Sequence, residues 1–395
     1  MSDHSASPKT SAYAWVILAL IYFSSMAAPL NQFKVPPVMG LLISSYGLTL
    51  AVAGLLMGIF ALIGVILALP SGFIMGRIGV KKAGLAALIF LMAGSALGAV
   101  LTGTSVLMTS RVLEGVGMCL MSIVAPTALA HWFPPNKHGL AMGIWGTWVP
   151  VSSIISFAVF PKVADKAGWP GVAWSSFGYS VVLFILFIFL FKMPKTNEMA
   201  QVKPSFEKEL SSLKKVVSQG QPWLLSLSFC GYIMLAISLI TFLPTYFSTV
   251  RGLGPQAAAN ASQIYLISNT LGIIVGGLLC DKYGSKRCIV LAYLIAGLLM
   301  LFFFAPGNYI YLTMIAVAFI GPIGVTPSFS AAPQLVAPED AGRAMALLAL
   351  GQNLGMSIGP PVFGRIAESS WNQAGYFTIP VVLLAAFLAS RLKIR

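Results

Sequence analysis

The sequence predicts an all-α membrane protein: twelve transmembrane helices in two pseudo-symmetric six-helix bundles, with both termini cytoplasmic. Three observations carry this reading. Hydrophobic residues make up 58% of the 395-residue chain and charged residues only 9%, against about a quarter charged in a soluble domain. Apolar runs of roughly 20 residues, long enough to cross a ~30 Å hydrocarbon core as helices, recur from end to end. The chain also repeats itself. Gly72, Gly76, Gly79 and Lys81 return as Gly277, Asp281, Gly284 and Lys286, always 205 residues later. Pro135, Gly139, Ala141 and Met142 return as Pro338, Gly342, Ala344 and Met345, 203 residues later. Two repeats in register over half the chain imply two homologous halves.

The first six runs fall near 13–35, 48–70, 83–101, 105–128, 139–161 and 172–192, and the second six near 221–246, 258–280, 287–305, 308–329, 342–364 and 372–391. Domain bounds follow as 1–192 for the N-terminal bundle, 193–220 for a cytoplasmic linker and 221–395 for the C-terminal bundle. The polar stretch Met1–Thr10 precedes a first run too long for a signal-peptide core, so that run is expected to stay as a helix. In the linker, Phe206, Leu210, Leu213, Val216 and Val217 alternate with Glu207, Lys208, Lys214 and Lys215 at helical spacing. This predicts an interfacial helix tethering the two bundles.

Orientation comes from Lys and Arg. With the N-terminus inside, eighteen of the 24 fall on the cytoplasmic side, and only Lys162, Lys166, Arg251 and Arg365 on the other. That bias follows the positive-inside rule and places the protein in the cytoplasmic membrane. It also explains the net charge of +14 without a nucleic-acid partner, since no basic stripe with interleaved aromatics exists. Cys119, Cys230, Cys280 and Cys288 lie in or beside apolar runs and read as small buried residues. His4, His131 and His138 form no ligand cluster, and no nucleophile–base pair or nucleotide loop is present. No cofactor or metal is expected, and a membrane enzyme or receptor is the remote alternative.

Gly277, Asp281, Lys282, Gly284, Lys286 and Arg287 form a basic glycine loop after the eighth run. The loop after the second run keeps Arg77, Gly79, Lys81 and Lys82 but has Gly76 where the acid would stand. This pattern, with twelve helices and a cytoplasmic middle loop, resembles the major facilitator superfamily of secondary transporters over essentially the whole chain. The resemblance implies that Asp281, with Arg77, Lys282 and Arg287, sets the balance between conformations, and that the latch is weakened at Gly76. Arg111 followed by Gly115-Val116-Gly117 resembles the family's fourth-helix pattern. Gly355 to Pro361 is similar to an antiporter Gly-Pro motif but lies in the other half, where small residues at helix contacts explain it. Phe33–Gly47 and Trp132–Trp145 are similar to the cyanate and nitroimidazole permease group, whose members carry small anions or polar solutes.

Setting aside residues at the ends of the runs, charge inside them is confined to Lys34, Arg111 and Glu114, and intramembrane charge marks function. If the first helix ends at Val35, Lys34 snorkels to the outer surface. If the uncharged stretch to Gly47 continues the segment through Pro36 and Pro37, Lys34 lies only ~7.5 Å from its midpoint. A lone ammonium there needs an anion or polar partners, and a transported anion would serve. Arg111 and Glu114, three apart, can face each other as a structural or switching pair. Glu114 is the one acidic candidate proton carrier. Asn31, Gln32, Trp145, Trp148, Tyr232, Asn269, Gln352 and Asn353 are the remaining candidates for a midplane solute site.

The preferred function is a monomeric secondary carrier for a small anion, working by rocking of the two halves in the lipid bilayer, with a coupling proton or counter-substrate as further partner. The alternative is a proton-coupled exporter of drugs or metabolites that uses Glu114.

Overall fold

The computed structural model describes residues 12–67, 77–193, 215–303 and 309–394. Within them the fold is all helical. Gly72 to Gly76, Met1–Thr10 and most of the expected interfacial helix lie outside these residues.

The first run is longer than its most apolar part. Helix α1 (Ala12–Phe33) passes through a 3₁₀ turn at Pro36–Val38 into α2 (Met39–Tyr46). Together they make a 35-residue candidate span. Pro36 and Pro37 lack the N–H groups that carbonyls four residues earlier would bind, so the axis breaks there, but the chain stays buried. After Gly47, in the left-handed region at φ +61°, α3 (Leu50–Leu67) runs back.

Helices α4 (Val80–Val100) and α5 (Thr104–Trp132) follow, then α6 (Pro135–Gly146) and α7 (Trp148–Leu190). The apolar stretch Lys137–Leu190 has 54 residues, about 80 Å at helical rise and too long for one crossing. It divides at Gly168, whose φ of +61° breaks the helix. Beyond the linker come α8 (Gly220–Thr249), α9 (Pro255–Tyr283) and α10 (Ser285–Leu299). Next are α11 (Tyr309–Ile320) and α12 (Val325–Ala331), joined by a 3₁₀ turn at Gly321–Gly324. Last are α13 (Ala341–Ala367) and α14 (Trp371–Ser390).

Ten stretches among the described residues are long and apolar enough to cross a membrane. The break at Gly168 divides one of these, and α13, a 27-residue helix with five glycines together with Gln352 and Asn353, falls outside the ten. The internal repeat extends to the backbone: Gly79 (φ +81°, ψ 161°) before α4 and Gly284 (φ +82°, ψ 151°) before α10 share one conformation, which L side chains resist.

Lipid tails are as apolar as the side chains, so close packing holds such helices together. The seam between α3 and α13 illustrates this. A Cβ at Gly54 would sit 2.4 Å from the Pro360 carbonyl oxygen, at Gly58 2.4 Å from that of Ser357, and at Gly364 2.3 Å from that of Leu50. Gly351, Gly355 and Gly359 meet α8 as closely, at Ser226, Cys230 and Met234. The Gly-Pro stretch of α13 is therefore a packing surface on two sides.

Two polar contacts join parts of the chain distant in sequence. The Ala51 N–H donates to Glu368 Oε1 at 3.0 Å, and Gln263 Nε2 of α9 donates to the Ile154 carbonyl of α7 at 3.0 Å.

Gly58→Val should cost about 1–3 kcal/mol through overpacking, read as a lower unfolding temperature in detergent. Gly178→Ala, which has open space at its Cβ, should be neutral; equal melting of both variants and the parent would refute the close seam.

Candidate functional site

The last turn of α1 builds the most polar buried cluster. Asn31 Nδ2 donates to the Ala27 carbonyl one turn earlier at 2.8 Å, which turns its Oδ1 towards α4 and α5. That oxygen accepts from Lys34 Nζ at 2.8 Å and from Ser95 Oγ at 2.6 Å. Lys34 Nζ also donates to Glu114 Oε1 at 2.7 Å and to Ser95 Oγ at 3.3 Å, so all three ammonium donors have acceptors. Glu114 Oε2 is ion-paired with Arg111 on the same helix. Arg111 Nη1 then donates to the Asn31 backbone carbonyl at 2.7 Å, an acceptor left free because α1 ends there.

Aromatic rings complete the shell. Lys34 Nζ lies 5.5 Å from the Trp169 ring centre, and the Arg111 guanidinium 5.9 Å from that of Phe60. Trp169 Nε1 is fixed by the Gly98 carbonyl at 2.8 Å. Gly94 makes the approach feasible, since a Cβ there would sit 2.5 Å from Glu114 Cγ. Lys34, Arg111 and Glu114 are each no more than 1% exposed.

The snorkelling geometry for Lys34 is therefore not adopted, and the expectation of a lone ammonium is corrected. Its anion is Glu114, 80 residues away. The Arg111–Glu114 pair forms as the spacing predicts. The cluster holds two cations against one carboxylate, a surplus of one positive charge in a medium that resists charge. Ser95, Trp169 and Phe60 were not singled out from the sequence, where they look like ordinary packing residues.

The other candidates separate into groups. Gln32 is buried in the last turn of α1. Trp145 and Trp148 stack at 5.3 Å, and Trp145 Nε1 donates to Ser25 Oγ at 3.1 Å, tying α6 to α1. Tyr232 of α8 is hydrogen-bonded with Asn269 and stacks on Tyr293 at 4.7 Å. Tyr293 in turn contacts Ser328 Oγ at 3.3 Å. Gln352 is half-buried on α13. Asn353 Nδ2 donates to the Ala349 carbonyl at 3.0 Å, and its Oδ1 would meet a Cβ at Gly64 at 2.8 Å, so Asn353 belongs to the α3–α13 seam.

Of the conformational candidates, Asp281 is exposed and has no ion pair among the described residues. It lines a cavity of about 450 Å³ with Lys286, Arg287, Ser330 and Gln334. Lys282 Nζ lies 5.2 Å from the Tyr283 ring centre, and Arg77 is exposed. The ion pairs near the linker's end use Asp340 instead: Lys215 Nζ and Arg343 Nη1 each lie 2.9 Å from its carboxylate.

Residues 21–274 and 255–395 match the Major Facilitator Superfamily, to which this chain belongs. It is a multi-pass membrane transporter of that class. The chain is 27% identical over 293 residues to the uncharacterized transporter YybO of Bacillus subtilis, covering 68% of this chain and 64% of that protein. It is 25% identical over 331 residues to the nitrite extrusion protein of Bacillus subtilis (83% and 81% covered). It is 24% identical over 404 residues to the probable sulfoacetate transporter SauU of Cupriavidus necator (94% and 90% covered). In fold it is similar to a bacterial homolog of the human lysosomal transporter Spinster, solved in an inward-facing and unoccupied conformation. That likeness has a TM-score of 0.85 at 16% identity and covers 97% of this chain and 98% of the other.

Glu114→Gln should strand two buried cations and cost about 3–5 kcal/mol, seen as a lower unfolding temperature. Adding Lys34→Met should restore part of the loss. A Glu114→Gln protein as stable as the parent would mean that the cluster does not hold α1 to α4 and α5.

Proposed function

We propose that the protein is a secondary carrier that moves a small anion across the cytoplasmic membrane by alternating access. The bundles 1–192 and 221–395 rock about a central path, joined by the linker 193–220, with twelve spans and both termini cytoplasmic. The observation that carries this reading is the surplus charge at Lys34, Arg111 and Glu114. A cluster with two cations and one carboxylate favours a second anion and disfavours a cation. The names of two relatives, a nitrite extrusion protein and a probable sulfoacetate transporter, agree with an anionic solute.

In this reading the captured state is inward-facing. The pins at Glu368–Ala51 and Gln263–Ile154 close the outer end, while the cavity at Asp281 opens on the cytoplasmic side. Opening towards the cluster lets the solute share Lys34 with Glu114. Asp281, Arg77, Lys282 and Arg287 act when the inner side closes, which fits an Asp281 that is unpaired among the described residues in the open state. The alternative of a proton-coupled exporter is weaker because Glu114, its one acidic candidate, is already engaged by Lys34 and Arg111.

Uptake of labelled nitrate, nitrite and a short sulfonate into proteoliposomes tests the reading. Lys34→Ala should lower anion uptake by on the order of tenfold or more, the scale of one lost charge-assisted hydrogen bond. Asp281→Asn should slow it more than Gly76→Ala does. If Lys34→Ala carries anions as the parent does, while Glu114→Gln stops efflux of a lipophilic cation, the exporter reading replaces this one.

A further inference from the structure

Helix α3 begins without a complete cap of its own. Thr49 Oγ1 accepts from the Val52 N–H at 3.3 Å and the Thr49 carbonyl accepts from the Ala53 N–H at 2.9 Å. The Ala51 N–H would be left without a partner by its own helix. Its acceptor is Glu368 Oε1, 317 residues away at the end of α13. The Thr49 hydroxyl stands near the same carboxylate and helps lower its pKa. Arg365 Nη1, one turn earlier on α13, pairs with Glu368 Oε2 at 2.7 Å. A side chain from one end of the sequence thus completes the N-cap of a helix near the other. It stands at the mouth of the glycine seam where α3 and α13 touch.

We propose that Glu368 is a proton-sensitive latch on the outer gate. Its carboxylate holds α3 against α13 in the closed state, and its protonation favours opening at that end.

The geometry supplies each part. The anion sits at the positive end of the α3 dipole and accepts charge-assisted hydrogen bonds, about twice as strong as neutral ones. Its side chain is 22% exposed, so protons from solvent reach it. The groups that meet it are Arg365, one turn earlier on α13, and Thr49 and Ala51 at the start of α3. The Gln263 to Ile154 carbonyl contact has no titrating group, so acid releases one of the two contacts.

The Ala51 N–H, then the Thr49 hydroxyl and Arg365, hold the Glu368 carboxyl below its ordinary value of 4.5. A carboxyl lowered in the latched state stabilises that state above its ordinary value. The contribution is lost as pH falls through the lowered one, so the window lies below 4.5. The latch therefore stays shut at neutral pH and yields to a strongly acidic exterior. The sidedness rests on the carrier reading above; the latch itself does not.

Pulsed electron-spin distances test it, between labels at Ser45→Cys and Asn372→Cys, in full-length protein in lipid nanodiscs with the four native cysteines replaced by Ala. With native Glu368, the ratio of long to short distances should be low at neutral pH. It should rise on the order of tenfold in acid, the scale of losing one helix cap. Glu368→Gln, which mimics the protonated group, should show the raised ratio at neutral pH and no further response to acid. Thr49→Val keeps the titrating group but removes one hydroxyl that lowers it, so its transition should move to higher pH. The proposal is overturned if Glu368→Gln keeps the neutral-pH distribution or still responds to acid. It is also overturned if Thr49→Val leaves the midpoint unchanged. No solute or sidedness enters these distances, so a failed latch and a failed carrier reading are told apart by which experiment fails.

Discussion

One carboxylate, Glu114, stands between two buried cations, and the first part of the fold is arranged around it. Lys34 directly follows α1, Ser95 comes from α4, Arg111 and Glu114 come from α5, and Trp169 opens the last part of α7. Each element contributes because an unpaired charge in the bilayer interior is more costly than the packing it displaces. Asn31 serves twice, through its side chain to Lys34 and its carbonyl to Arg111. The arrangement satisfies each donor of Lys34 and still leaves positive charge in excess.

The second half has a neutral counterpart. Tyr232, Asn269, Tyr293 and Ser328 link α8, α9, α10 and α12 through ring stacking and hydroxyl contacts, with no Asp, Glu, Lys, Arg or His among the four. Gly321 and Gly324 let the broken α11–α12 segment lie directly on the two phenol rings. The asymmetry that the sequence shows, with intramembrane charge confined to the first half, is thus an asymmetry of polar networks. The glycine seam between α3 and α13 joins the networks through tight backbone contact, which has to separate if the ends of the molecule are to open in turn.

The fold was legible in the sequence because a bilayer leaves few choices: run length was enough to reach helical spans, and the basic glycine loop at Gly277 to Arg287 carried the resemblance to the superfamily. Arg111 and Glu114 were legible as a pair because helical spacing is local. The Lys34–Glu114 bond was not, since it depends on how α1 and α5 pack across 80 residues. Ser95 carried no signal, being one small polar residue in an apolar run. That Asn353 lies against Gly64 was not legible, because a lone polar side chain does not reveal which side of its helix meets a neighbour. Glu368 was not singled out, since its bond to the start of α3 joins residues 317 apart in the chain.

The claim that most depends on this geometry is that the buried surplus of positive charge selects an anion. Calorimetric titration of purified protein with nitrate and with a short sulfonate, compared with an equal-sized cation, measures it directly. The account predicts saturable binding of at least one anion that is lost in Lys34→Gln, and no binding of the cation. Saturable binding of the cation, or anion binding untouched by Lys34→Gln, would contradict it.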